Sequence, residues 1–397
     1  MTILCISSYE KGADFMRQAK RDGCKVLLLT SQSLENANWP RESIDDIYFI
    51  PDVNKEWKLA DVISGVSFLA RSEKIDSIVA LDDFDVEKAA ALREHLRVPG
   101  MGETTVRYFR DKLAMRKRAK EVGILVPEFV GIINYDEIRE FLNSVEPPYV
   151  LKPRLNAGAI GIKRINKHEE LWRALDKLGD EQSYYLLEKF ISGKIFHVDT
   201  IIFNRKIQFS IAHEYGLPPL EVAHEGRVFS TRTMDRDSDK ATRLRKVNED
   251  VMKGMGLVQG ISHTEFIEDN NGKIYFLETS ARVGGANIAE LVEAESGINL
   301  WAEWAKIEML RGVGKYKLPK IKNDYAAILI SLAKQESPDL SNYDDPEVVW
   351  KLKKRHHAGL IIRSKDRDKV ESLLVDYTKR FYEDFFARED MKDRPVD

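Results

Sequence analysis

The sequence predicts an α/β protein that opens with a parallel sheet flanked by helices. Short apolar runs at Thr2–Ile6, Lys25–Leu29 and Ile75–Leu81 alternate with helix-length polar stretches, the pattern of buried strands joined by crossover helices. The 397 residues are enough for two or three domains, and 43% apolar against 32% charged residues is an ordinary globular mixture. Lys and Arg number 62 against 65 Asp and Glu, a net charge of −3, so no global excess of positive charge points to nucleic acid or a membrane surface. No apolar run approaches the ~18 residues of a membrane span. The first ten residues have neither the basic segment nor the apolar core of a secretory leader. Cys5 and Cys24 cannot make a disulfide framework or a structural zinc site alone. A soluble, cytoplasmic enzyme is expected.

Each later element has its own local signal. Val86, Ala89, Ala90 and Leu96 mark a helix face that stops before Pro99-Gly100. Neither GxGxxG nor GxxxxGK[ST] occurs in this first part, and Gly254-Met-Gly256-Leu-Val-Gln-Gly260 has the wrong spacing and follows a helix. Residues 111–122 form a charged amphipathic helix closed by Gly123 and followed by Pro127. A strand at 149–153, a glycine-containing loop and a helix at 168–178 come next, then strands at 184–190 and 195–203. Residues 212–219, His224 and residues 227–233 read as an ordered loop with a short β-rich end, because tandem prolines and mixed His/Arg chemistry are not those of a solvated tract. Leu244, Val247, Val251 and Met255 share one face of a helix at 239–255. The tail carries strands at 326–331 and 359–362 and a final helix ending near Phe386.

The most informative stretch runs from His263 to Ser280. Asn271-Gly272 between two β-rich runs signals a hairpin. With a two-residue loop, Asn270 opposes Lys273, Glu265 opposes Glu278, and His263 opposes Ser280. Two directly opposed carboxylates, with Cβ atoms ~5 Å apart, repel unless a cation sits between them. Oxygen-rich surroundings of this kind suit Mg²⁺, above all when phosphates supply the remaining ligands. A lone glutamate here would be a solvated surface acid; the facing pair, flanked by His263, Ser280 and Arg282-Val-Gly-Gly285, favours the metal.

Glu265…Glu278-x-Ser280-x-Arg282 resembles the metal-binding end of the ATP-grasp superfamily, with Ser280 where the usual pattern has Asn. A Ser at that position is similar to the formate-dependent glycinamide ribonucleotide transformylase. The resemblance spans about residues 1–310 and implies the rest of the site in order. Lys112, after Asp111, resembles the first nucleotide lysine, and Lys152, in an otherwise apolar strand end, the second. Gly158 and Gly161 let backbone N–H groups approach phosphate oxygens in a mobile lid. Glu188-Lys189-Phe190-Ile191 resembles the adenine hinge, with the Glu188 carboxylate or carbonyl taking the amino group. A second Glu that holds the ribose is replaced by Ile195; His197, on the same strand face, is either its substitute or a satisfied structural histidine. Arg232 faces a γ-phosphate or an acyl carboxylate, or makes a surface ion pair. Asp82-Asp-Phe-Asp85 contacts an amine substrate or caps the following helix.

The resemblance implies an N-terminal α/β domain over 1–110, a two-lobed ATP-grasp domain with its lid at 111–190 and its metal and catalytic part at 191–310, and a C-terminal α/β extension at 311–397. The implied activity is that of an ADP-forming carboxylate–amine ligase working through an acyl phosphate. ATP and two Mg²⁺ ions, replaceable by Mn²⁺, are held by Glu265, Glu278 and Ser280, and Arg282 steadies the oxyanion. Small-molecule carboxylates and amines are the partners, with neither nucleic acid nor membrane, and a homodimer is compatible. The alternatives are a purine-biosynthesis or biotin-carboxylase-like acceptor, and a nucleotide-binding homologue without chemistry.

Overall fold

The computed structural model describes residues 1–52, 56–156, 158 and 160–387, without the side chains of 223–225. Lid residues 157 and 159, and the His224 side chain, therefore lie outside the described residues.

The first sheet is parallel. Its strands are β1 (Thr2–Ser7), β2 (Lys25–Ser31), β3 (Asp46–Ile50) and β4 (Ser77–Ala80), in the order β3-β2-β1-β4. Alternation sorts their side chains to two faces. Ile3 and Cys5 pack with Phe15, Met16 and Ala19 of the helix Ala13–Arg21. Leu4 and Ile6 pack with Val62, Val66 and Ala89 from the helices Leu59–Leu69 and Val86–Leu96. Both cysteines are buried thiols.

The second sheet is antiparallel: β5 (Phe129–Gly131), β6 (Tyr149–Pro153), β7 (Lys163–Ile165) and β8 (Tyr185–Lys189), ordered β5-β8-β6-β7. The amphipathic helices Tyr135–Ser144 and His168–Leu178 turn Ile138, Phe141, Leu171 and Leu175 into its core.

The third sheet has eight antiparallel strands: β9 (Gly193–Phe203), β10 (Lys206–Tyr215), β11 (Phe229–Thr233), β12 (Gly260–Asp269), β13 (Ile274–Ser280), β14 (Tyr325–Leu332), β15 (Val348–Lys351) and β16 (His357–Ser364). Their order is β13-β12-β9-β10-β11-β14-β16-β15. The helix Asp239–Met255 covers part of one face. The helix Leu300–Leu310 carries Trp304 against Phe15 and so joins this sheet and the first into one apolar cluster. The three C-terminal strands continue the same sheet beyond β11, under the helix Arg367–Asp384.

Two local expectations change. Residues 212–233 are not a loop: β10 runs to Tyr215, a short helix spans Pro219–Glu225, and β11 follows. The signal overlooked is Asn204-Arg205, a two-residue hairpin turn with both residues left-handed (φ 51° and 62°). The loop between β12 and β13 has three residues, with Asp269 opposite Lys273 and Gly272 left-handed at φ 76°. A bulge between Glu265 and Phe266 then restores the register, so Glu265 still opposes Glu278 and His263 still opposes Ser280.

Candidate active site

Two cavities, of about 190 and 320 Å³, meet where the second and third sheets face each other. Both are lined by Lys112, Asn156, Gly158, Glu265 and Glu278, so the opposed carboxylates stand at their junction.

The first cavity is apolar and hinge-lined. Val150, Ile160, Ile162, Ile195 and Leu277 form its walls, and Glu188, Lys189, Phe190 and Ile191 all reach it. The Lys189 ammonium donates to the Glu146 and Pro147 carbonyls, which leaves it anchoring the hinge. The Glu188 carboxylate is spoken for: Arg116 Nε lies 2.5 Å from one oxygen and Lys152 Nζ 2.6 Å from the other. Burial works against this carboxylate, and the two cations outweigh it, holding its pKa below the usual range. Burial also pushes the Lys152 ammonium down to about 8, against the pull of Glu188.

Lys112 opens the helix Lys112–Glu121, whose first turn is capped by the Asp111 side chain accepting from Leu113 N and Ala114 N. Its Nζ donates to Asn156 O at 2.6 Å and lies 2.9 Å from Glu278 Oε2. Burial disfavours the Glu278 anion, and Lys112 more than compensates, so its pKa falls below the ordinary value. Gly158 and Gly161 are left-handed at φ 66° and 74°; a Cβ on Gly161 would also stand 2.9 Å from Pro153.

The second cavity is lined by Asp83, Arg110, Ser280 and Arg282, with Tyr215, Phe229 and Ile288 among its apolar walls. Arg282 donates to Asp83 and, at 2.7 Å, to Val283 O, and Ser280 Oγ donates to Asp83 at 3.1 Å. Asp83 Oδ1, Arg110 Nε and Arg282 Nε are buried with no hydrogen-bond partner among the described residues. Of the acidic run 82–85, Asp82 caps the next turn and pairs with Lys11, Asp85 accepts from Ser8, and Asp83 alone lines the cavity.

Two expected site residues lie elsewhere. His197 is fully buried and lines neither cavity, so the ribose reading gives way to the structural one. Its Nδ1 meets Asp199 at 2.8 Å and its Nε2 meets Thr231 at 2.9 Å. Arg232 lines neither cavity and pairs with Glu214 and Glu371; its flanking residues, Thr231 and Thr233, take the histidine side, and alternation turns Arg232 to the opposite face.

The sequence reading also missed a buried polar cluster. Asp199 meets His263 Nδ1 at 2.9 Å and has His213 Nδ1 3.6 Å away; His213 Nε2 reaches Glu295 at 2.6 Å. Burial opposes protonation of every imidazole here. It prevails at His197, whose pKa falls to about 3, whereas Glu295 and Asp199 lift His213 to about 9. Asp199 and Glu265 likewise lift His263 to about 9. The signal was present as His197-x-Asp199, His213-x-Tyr215 and His263-x-Glu265, three strands each with polar residues two apart on one face.

The donor set suits a hard divalent cation. Glu265 and Glu278 are opposed carboxylates near Ser280, at the seam between the two cavities.

Residues 145–290 match the ATP-grasp domain family. An L-arginine-specific L-amino acid ligase of Bacillus subtilis is 24% identical over 273 residues, which are 67% of this chain and 65% of that protein; the chain thus spans just under two thirds of that relative. The L-amino acid ligase of Bacillus licheniformis has the same fold, with a TM-score of 0.76 at 18% identity over 98% of this chain and 99% of that one. The N5-carboxyaminoimidazole synthetase of Staphylococcus aureus, complexed with ADP, gives 0.72 at 17% identity over 95% and 96%. Among the described residues no helix is long and apolar enough to cross a membrane. The family match runs from β6 through Glu188, the paired glutamates and Arg282, so residues 145–290 are similar to an ATP-grasp domain, on a fold shared with these proteins along nearly the whole chain.

Proposed function

We propose that the protein is an ATP-dependent, ADP-forming carboxylate–amine ligase that joins small molecules, amino acids among them, through an acyl phosphate. The observation that carries this reading is the seam. Adenine would sit in the first cavity against the hinge backbone, with the triphosphate along Lys152 and Lys112 toward Glu265 and Glu278 and the acceptor beside Asp83, Arg110 and Arg282 in the second. Two Mg²⁺ ions, or Mn²⁺ in their place, would be held by the two glutamates and Ser280, neutralising phosphate charge.

The chain's own residues then divide the work. Lys112 and Lys152 hold the phosphates, and Gly158 and Gly161 let the loop close over them and keep water from a hydrolysable intermediate. A substrate carboxylate oxygen attacks the γ-phosphorus, the β–γ bridge breaks, and ADP leaves. The amine nitrogen attacks the acyl carbon, inorganic phosphate departs, and the proton lost by nitrogen passes to the phosphate or to water. Arg282, with Nε unpaired, faces the developing oxyanion, and Asp83 Oδ1 is an acceptor for a substrate ammonium. The relatives named as amino acid ligases support the choice of amino acids.

ADP release is measured with amino acids offered singly and in pairs, and the amide is identified by mass. An ¹⁸O-labelled carboxylate should transfer one ¹⁸O to phosphate. Amide formation without that transfer would exclude the acyl phosphate, and ADP release without amide would exclude the ligase.

A further inference from the structure

A single polar row crosses five strands of the third sheet. Glu278 of β13 pairs in register with Glu265 of β12, then come His197 of β9, His213 of β10 and Thr233 of β11. Asp199 lies one step along β9, in register with His263. All three imidazoles turn Nδ1 toward this one buried carboxylate, at 2.8 Å for His197, 2.9 Å for His263 and 3.6 Å for His213. Each sends Nε2 outward to a different oxygen: Thr231, Glu265 or Glu295. Thr233 and Arg236 hold Glu295 in turn.

An apolar core would cost less than this buried ionic cluster. What distinguishes it is where it ends. Among the described residues it reaches the cavities through His263, Tyr215 and the Glu265–Glu278 pair. On Glu265, Tyr215 OH donates to Oε1 at 2.7 Å and His263 Nε2 stands 3.8 Å from the same oxygen. Among the described residues no donor reaches Oε2. A carboxylate opposite another carboxylate would otherwise swing away; gripped by one oxygen, it is held where it is.

We propose that Tyr215, and Asp199 acting through His263, are positioning residues that fix the Glu265 carboxylate by Oε1 and so preset the cation site it forms with Glu278. This rests on the metal reading of those two glutamates. Partners of this kind behind a metal ligand set affinity as well as orientation.

The test titrates Mn²⁺ alone into wild type, Tyr215→Phe, His263→Gln, His263→Asn and Glu278→Gln, following free Mn²⁺ by electron paramagnetic resonance. ADP affinity in EDTA and thermal unfolding are measured alongside. Tyr215→Phe keeps the ring and loses one hydrogen bond, so it should fold, leave metal-free ADP affinity unchanged, and weaken Mn²⁺ about tenfold. His263→Gln keeps a donor near the Nε2 position and should lose less than His263→Asn, which can reach only Asp199. If Glu278→Gln binds Mn²⁺ like wild type, the metal reading itself fails. If Glu278→Gln weakens Mn²⁺ while Tyr215→Phe and both His263 variants do not, positioning is overturned and the metal reading stands. A stoichiometric transition metal in the purified protein, lost in His213→Gln, would also overturn it by making Asp199 and its histidines ligands.

Discussion

Lys152 sits in a buried triad with Glu188 and Arg116, where two cations share one anion. Its lowered pKa, about 8, makes phosphate binding a proton-linked event. Triphosphate contact raises that pKa, so ATP should bind with proton uptake near pH 8.5, seen as a buffer-dependent heat in calorimetry; no uptake would move Lys152 off the phosphates. Folding responds with its own sign. Between about pH 8 and the unfolded value near 10.4, the unfolded chain binds the extra proton, so this group's contribution to stability rises with pH. Lys152→Ala leaves Arg116 with Glu188, so ATP affinity should fall by more than tenfold while the melting temperature changes little. Arg282→Lys cannot serve both Asp83 and Val283 O, and should spare ATP binding but lower turnover about a hundredfold. These lysines, glutamates and Arg282 were legible because a charge in an apolar strand, or a pair at fixed spacing, is visible in one dimension. Arg232 was misplaced because a strand's phase decides which face a residue takes, and one residue's shift reverses it; His197 has the face of Ile195, but His213, Tyr215 and His263 pack against its ring and bury it.

The β12–β13 hairpin shows how an element can be read correctly through a wrong turn. The expected two-residue loop is a three-residue loop, and the Glu265/Phe266 bulge absorbs the difference. The bulge has no sequence signature, yet the facing glutamates survive it. Lys112 changes what their removal should do, because it already neutralises Glu278 at 2.9 Å. Glu278→Gln in EDTA relieves a like-charge pair and loses an ion pair, two opposed effects of about 1 kcal/mol or less, so the melting temperature should move by no more than a few degrees. The additional stabilisation by Mg²⁺-ATP should largely vanish in the variant. An equal shift in both proteins would make these carboxylates ordinary surface acids.

At the scale of the whole chain, the sequence read individual strands well and their partners poorly. Nothing local tells β14, β15 and β16 to extend the sheet that begins with β9, since such pairing is settled by long-range registers such as Arg232 with Ala327 and Thr231 with Ile328. The buried faces of Ala327, Leu329 and Leu360 pack against Val370, Leu374 and Tyr377 of the last helix, so residues after 315 complete a core. A chain ending at 315 would leave β11 as an unpaired edge strand and bare Val228 and Leu291, and should aggregate or lose cooperative unfolding; a soluble, cooperatively melting product would show the tail to be separable.

Lys112 also bears on how nucleotide and metal affect each other. In the free protein one ammonium ties the glycine loop, through Asn156 O, to the hairpin, through Glu278. It acts as a latch where the two cavities meet. A triphosphate that drew this ammonium away would release Asn156 O and Glu278 at once. A bare cation meets a carboxylate still paired with lysine, and should bind more weakly than it does beside a nucleotide. Nucleotide should therefore tighten the site beyond its affinity for Mn²⁺ alone.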